Sequence, residues 1–335
     1  MKILFNLVNC GLGNNGGSYN IIKSANTLVD LGHDVTIVDG GKNKNTWVEL
    51  KAEHVVNKYP KSDVVICTGM KTLGNLYSFK SRLFVHWLRA FETWVEPEKT
   101  IIYNLEHSPT FKMVNSIGLQ NKLKKYGIHS ALIRAGNSFD EIYPLNIRKD
   151  NENIVIGGLY SQGEKRSGKR TEWIFKTVDY LKSRNYDVKL YMFGVDGHPQ
   201  YKVDKYLYDP SIDEKNKLYN EIDIWLSPSC NEGLHVCPQE AMLTEAFVVG
   251  NNSKLSGTQD YLNNKTGIVS ENDLGYFIGS VEASIKNPKL RNEISKNGRQ
   301  KILSLGSRED NMKNLISLLE DLLNDRYYND SNPKT

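Results

Sequence analysis

Short apolar runs alternate along the chain with polar and glycine-rich stretches, and the spacing of the apolar positions changes from that of a strand to that of a helix and back. Residues 2–8 are a near-continuous apolar run of strand length. A glycine loop follows, and positions 19–31 then repeat at helical spacing until Gly32 and His33 end the helix. Residues 34–39 return to strand. Strand, helix and strand in that order make a βαβ unit, so the first half is predicted to be Rossmann-like. Residues 62–69, 81–86 and 100–104 predict three more strands, and a helix running to Tyr126 and Gly127 precedes a short strand over 131–136.

The second half repeats the theme. A strand over 153–158 leads through a polar loop to a helix over 171–181, where Ile174, Val178 and Leu181 share one face. Strands follow over 187–193 and 221–226, then a helix over 238–246 with Pro238 in its first turn, and strands over 247–250 and 266–269. Helices after Asn272 cover the sheet, and residues 310–323 are strongly amphipathic. The predicted organisation is a domain over 1–147, a polar linker near 147–153, a second domain over 148–308, a last helix over 309–325 and a disordered tail over 326–335.

Composition narrows the class. With 335 residues, 39% hydrophobic and 24% charged, the chain suits a soluble globular protein of two domains. Its apolar runs are far too short to span a bilayer, and residues 1–8 read as a first strand instead of a signal peptide. Cys10, Cys67, Cys230 and Cys237 match no metal-ligand spacing and are expected to be free thiols in a reducing cytoplasm. The net charge of +4 is uneven. Residues 1–150 hold 19 Lys and Arg against 13 Asp and Glu, a balance of +6, and the remainder 24 against 26, a balance of −2. The basic half keeps the protein soluble or faces an anionic acceptor or lipid surface, which would place a cytoplasmic protein weakly at the membrane periphery. No nucleic-acid partner is expected.

Candidate chemistry concentrates in two places. Glu232 and Glu240 flank the passage from the strand over 221–226 into the following helix, where ligands of parallel sheets bind. The helix start suits a phosphate, and carboxylates suit sugar hydroxyls. Together they suggest a sugar joined to a phosphate. In the first half, Gly11-Leu-Gly13-Asn-Asn-Gly16-Gly17 contains a Gly-x-Gly-x-x-Gly pattern, and Asp39 ends the next strand where a dinucleotide enzyme would hold a ribose. A nicotinamide or flavin enzyme is therefore an open alternative. Trp87, Arg89, Glu92 and Trp94, after the strand over 81–86, combine aromatic and polar groups as sugar sites do, and Glu106 and His107 form a second such pair.

Glu232, seven intervening residues, then Glu240-Ala-Met242 resembles the motif of the retaining glycosyltransferases of glycosyltransferase family four. The resemblance implies a GT-B fold: α/β, with two Rossmann-like domains facing each other across a cleft and the last helix packing back toward the first domain. It implies that Glu232 contacts the transferred sugar and Glu240 the nucleotide ribose, with peptide groups of Gly233, Leu234 and His235 near sugar and phosphate. The family usually has Phe-Gly where Leu234 and His235 stand. Gly16 and Gly17 match a Gly-Gly turn beside the donor phosphates, His86 is similar to a histidine that touches the donor sugar, and Gly194 stands where the base binds. Lys169 matches a lysine that clamps the diphosphate. Gly158 occupies the place of its partner arginine, so Arg166 or Arg170 is expected to substitute. The reaction implied is hexosyl transfer from a nucleoside-diphosphate sugar to a hydroxyl of a glycan, a lipid-linked or another acceptor, without cofactor or metal ion. A silent sugar-nucleotide binder is a further alternative.

Overall fold

In the computed structural model, which describes residues 1–42, 44–145, 147, 153–162, 168–255 and 257–324, the first apolar run is strand β1 (Lys2–Leu7), buried at every position after its first. Helix α1 (Gly16–Asp30) follows, its N-terminus capped by the Asn15 side chain accepting from Ser18 N–H. Then come β2 (Asp34–Asp39), β3 (Glu53–Val56), β4 (Ser62–Cys67), a 3-10 helix (Met70–Ser78), β5 (Ser81–Leu88), α2 (Glu98–His107), β6 (Phe111–Val114), α3 (Ile117–Lys124) and β7 (Ala131–Leu132). The seven strands form one parallel sheet in the order β3-β2-β1-β4-β5-β6-β7. The order reverses direction at β1, as in doubly wound sheets. Because crossovers cover both faces of such a sheet, its strands are apolar on both sides. Ile3, Phe5 and Leu7 face one cluster, while Leu4, Val65 and Cys67 face another.

The second sheet is built the same way. Its elements are β8 (Ile154–Tyr160), α4 (Thr171–Ser183), β9 (Val188–Gly194), β10 (Lys205–Tyr208), α5 (Ile212–Glu221), β11 (Ile224–Ser227), α6 (Val236–Leu243), β12 (Phe247–Asn251), β13 (Ile268–Ser270), α7 (Leu274–Lys286) and α8 (Pro288–Ser304). All six strands are parallel, in the order β10-β9-β8-β11-β12-β13. Ile174, Val178 and Leu181 of α4 seal one face, as their spacing predicts, with Phe277 and Val281 of α7. Leu218 and Tyr219 of α5, Ala241 and Met242 of α6, and Ile302 of α8 seal the other. Helix α9 (Arg308–Leu323) completes the chain. Among the described residues no helix is long and apolar enough to cross a membrane, and the four cysteines are free thiols.

By internal packing the chain divides into Met1–Gly136 with the stretch from Arg308, and Asn137–Ser307. Composition put the hand-over at 147–148, in a polar run. Phe139 and Ile142 already pack in the core of the second unit, so the chain leaves the first unit upstream of its most polar stretch. Helix α9 buries Met312, Leu315, Leu319 and Leu322 in the first unit. Residues 148–152 of the linker and the tail over 326–335 lie outside the described residues.

One predicted strand is a helix: residues 100–104 fall inside α2, where Ile101, Ile102 and Leu105 form a buried face. An apolar run of that length fits either period, and the buried side decides. The strand predicted over 131–136 pairs only at Ala131 and Leu132. Five elements had no predicted counterpart: β3, the 3-10 helix, β6, β10 and α5.

Candidate functional site

The loop between β11 and α6 is fixed by its neighbours before any ligand is considered. Asn251, fully buried, donates to the carbonyls of Pro228 (2.7 Å) and Ser229 (2.8 Å). Cys230 N–H donates to Gly168 O at 2.8 Å, and Glu232 N–H to Leu255 O at 2.5 Å. Gly257 lies against the turn with φ +73, and a Cβ there would fall 2.8 Å from both Glu232 Cβ and His235 N. Only glycine fits, because both the left-handed conformation and the close approach exclude a side chain.

This frame brings Glu232, Lys169 and His235 together. Lys169 Nζ donates to Glu232 Oε1 at 2.5 Å, with 29% and 13% of the two side chains exposed. His235 Nε2 lies 3.6 Å from the same oxygen, and its Nδ1 lies 2.9 Å from Ser227 Oγ. Burial pushes His235 down to about 4 despite the nearby carboxylate, so the ring is neutral at neutral pH. Burial alone would raise Glu232, but the charges of His235 and Lys169 outweigh it and hold the carboxyl below its usual range. Since the imidazole carries no charge at neutral pH, the Lys169 ammonium is the partner that keeps Glu232 ionised there. Lys169, Ser227, Ser229 and His235 line a small crevice floored by Trp225 and Leu226. Gly233 and Leu234 occupy the turn between Glu232 and α6.

Glu240 is in the first turns of α6, almost wholly buried. Its Oε2 accepts from Tyr219 Oη at 2.8 Å and lies 3.2 Å from Lys215 Nζ. Burial would lower Lys215, but Glu240 raises it above its ordinary value, so the pair is ionic. Helix α5 supplies both partners. It starts at a capping box in which Ser211 Oγ accepts from Glu214 N–H while the Glu214 carboxylate accepts from Ser211 N–H. That Ser-x-x-Glu pattern stood in the sequence and could have placed α5, and with it Lys215 and Tyr219.

The remaining predicted residues fall elsewhere. Arg170 begins α4 in a left-handed conformation, with its guanidinium 4.5 Å over the Trp173 ring and donating to Asn272 Oδ1. It does not join Lys169 at Glu232. Arg166 lies outside the described residues. Gly158 is packed under α4: a Cβ there would fall 2.5 Å from Ile174 Cδ1, so an arginine at this position would require the Ile174 side chain to shift. Gly194 ends β9 against the Tyr160 carbonyl, 2.4 Å from where its Cβ would be.

In the first unit, Gly16 and Gly17 open α1. Asp39 is fully buried and occupied by its own loop: it accepts from Leu12 N–H (3.3 Å) and Gly41 N–H (3.0 Å), and its Oδ1 lies 3.1 Å from His54 Nε2. Trp87 is no acceptor wall. It is fully buried in the core, with Nε1 donating to Ile133 O at 2.9 Å, since strand β5 continues past His86 to Leu88. His86 is also buried, and burial, then Lys112, pushes it down to about 3. Arg89 follows β5 directly, its guanidinium 5.5 Å over the Trp87 ring. Glu106 and His107 sit exposed at the end of α2, where His107 stacks on Tyr103. Among the described residues no three His, Cys, Asp or Glu side chains are grouped to hold a metal ion.

No protein-family model matches the chain, and no curated protein matches it. Solved structures do. Sucrose-phosphate synthase from Thermosynechococcus elongatus superposes with TM-score 0.77 at 13% identity, over 97% of this chain and 100% of that one. A glycosyltransferase from Rickettsia africae gives 0.75 at 15% identity, over 96% and 98%. HepE of Anabaena in complex with UDP-glucose gives 0.74 at 13% identity, over 96% and 100%. At these identities the likeness establishes the fold, the GT-B pairing of two Rossmann-like domains.

Proposed function

We propose that this protein is a retaining, metal-independent glycosyltransferase that moves a hexosyl group from a nucleoside-diphosphate sugar to an acceptor hydroxyl. The observation that carries the reading is the Lys169–Glu232 pair, 2.5 Å apart, next to the start of α6. A carboxylate accepts sugar hydroxyls, and an ammonium beside a helix N-terminus receives the charge of a departing diphosphate. Glu232 holds the transferred sugar, and Glu240, oriented by Lys215 and Tyr219, accepts from the ribose. The acceptor oxygen bonds to the anomeric carbon on the face from which the phosphate oxygen departs, so configuration is retained. The acceptor proton passes to the leaving phosphate. Lys169 stabilises the charge developing on that phosphate. The shared fold with HepE, which binds UDP-glucose, supports this choice of donor. Glycans or lipid-linked hydroxyl compounds are the acceptors proposed, used in the cytoplasm or at an anionic membrane surface facing the basic first domain.

The dinucleotide reading is weaker because Asp39, the expected ribose acceptor, is already engaged by Leu12, Gly41 and His54. Thermal-shift titration distinguishes the two: UDP or GDP should raise the unfolding temperature, and NAD or FAD should not. Glu232→Ala and Lys169→Ala should each lower sugar transfer by roughly a hundredfold or more, the scale of losing a group that stabilises developing charge, with cooperative unfolding retained. Wild-type turnover in both variants would refute the assigned site, and a UDP response without transfer or hydrolysis would identify a silent binder.

A further inference from the structure

Lys169 sits on a turn whose two flanking residues are each fixed. Upstream, Gly168 O accepts from Cys230 N–H at 2.8 Å, and a Cβ on Gly168 would lie 3.4 Å from Asn231 Cβ, so this residue rests on the loop that carries Glu232. Downstream, Arg170 has φ 53 and ψ 45, the left-handed conformation, in which a Cβ crowds the following carbonyl. Asn57, Asn185 and Asp209 are left-handed too, and short polar side chains of that kind tolerate the crowding better than arginine does. The Arg170 carbonyl accepts from Trp173 N–H at 3.0 Å, and Thr171 Oγ1 donates to Ser161 O at 3.0 Å and accepts from Ser161 N–H at 3.1 Å, which seats the first turn of α4. The Arg170 guanidinium lies 4.5 Å over the Trp173 ring and donates to Asn272 Oδ1. Trp173 is in turn set edge-on to Phe277, their ring centres 5.7 Å apart, against the core of this unit.

We propose that Arg170 is a positioning residue, which keeps Lys169 directed at Glu232 by locking the chain in a left-handed turn where α4 begins. The proposal rests on the reading of Lys169 and Glu232 as the donor site. A strained φ persists only where surrounding contacts over-determine it, and such strain gathers at functional sites. The ring beneath the guanidinium and Asn272 Oδ1 supply those contacts. Because Thr171 and the rest of α4 are anchored to Ser161 and the core, relaxing φ at Arg170 would rotate the chain on its amino side and carry Lys169 with it. Lys169 Nζ and Glu232 Oε1 are 2.5 Å apart on different elements, so that rotation separates them. A misplacement of about 1 Å is enough to undo most of what a positioned group contributes to a reaction. Glycine would enter the left-handed region freely but would not be held there. Arginine brings strain together with two anchors, and the anchors select one direction for its neighbour.

The test reads Lys169 itself, without a ligand. The full chain is labelled with a trace of acetic anhydride, and mass spectrometry compares acetylation of Lys169 with that of Lys289, an exposed lysine on α8. Arg170→Ala keeps the crowded Cβ and loses both anchors, so labelling of Lys169 should rise several-fold over wild type. Arg170→Gly, free of the crowding, should fall between the two. Asn272→Ala removes one anchor from an exposed position and should give a smaller rise in a chain that folds normally, which carries the test if Arg170→Ala does not fold. Calorimetric titration with UDP then reads the consequence: affinity should fall roughly tenfold in Arg170→Ala, and Arg170→Ala should add no further loss to Lys169→Ala. Three results overturn the proposal: wild-type labelling of Lys169 in Arg170→Ala and Asn272→Ala, an Arg170→Gly chain affected as much as Arg170→Ala, or additive losses of UDP affinity, which would mean that Arg170 touches the nucleotide directly. The predicted labelling order in a wild type that binds neither UDP nor GDP would sink the donor-site reading and leave the positioning of Lys169 standing.

Discussion

His235 shows how burial sets the behaviour of a single side chain at this site. Its ring sits between Ser227 and Glu232, and its carbonyl accepts from Tyr261 Oη (2.8 Å) and Gln239 Nε2 (3.1 Å). His235 and His86 are depressed to about 4 and about 3 from an ordinary 6.5. In the unfolded chain both rings protonate near 6.5, so below that value the unfolded state binds more protons. The stability they contribute is complete above pH 6.5 and is lost as pH falls through 4 toward 3, on the order of 3 kcal/mol for a shift like that of His235. Urea unfolding at steps between pH 7 and 4 should show the decline, and His86→Phe should flatten it; an unchanged slope would contradict the assignment. Residues of this kind were visible in the sequence only as types. Glu232, Glu240 and Lys169 could be picked from a motif, but Trp87 could be assigned to the core only once Ile133 was seen to accept its indole N–H.

At the scale of elements, α5 and α6 act as a pair. Helix α6 presents Glu240, and α5 presents the lysine and tyrosine that orient it. Ser211→Ala removes the cap of α5 and should cost about 1 kcal/mol. If α5 orients Glu240, UDP affinity should fall together with the unfolding temperature, whereas a thermal shift without a change in affinity would separate the helix from the site. Strong apolar runs such as 34–39 and 247–250 revealed their strands because parallel strands are apolar on both faces. β3, β6 and β10 are four residues each, too short to define a period, and β3 is largely exposed as well. Glycine had two meanings that the sequence could not separate. Gly158 makes room for Ile174 of α4, whereas Gly257 lets the turn at Glu232 close.

At the scale of the whole molecule, helix α9 belongs to the first unit although it follows the second in sequence. Its four buried side chains, Met312, Leu315, Leu319 and Leu322, are each worth roughly 1.5–3 kcal/mol. Their sum is comparable with the stability of an ordinary domain. A chain ending at Ser307 should lose cooperative unfolding of the first unit and expose Trp87 to fluorescence quenchers, while near-UV signals of Trp173 and Trp225 persist. Unchanged protection of Trp87 would mean that α9 is dispensable. The sequence by itself determined the α/β class, the two halves and the carboxylate pair, since periodicity and short motifs are local properties of neighbouring residues. Tertiary structure decided which distant groups meet: Lys169 with Glu232, Lys215 and Tyr219 with Glu240, and Trp87 with the Ile133 carbonyl. Those encounters depend on how crossovers stack on each sheet, and that information is spread over contacts far apart in the chain.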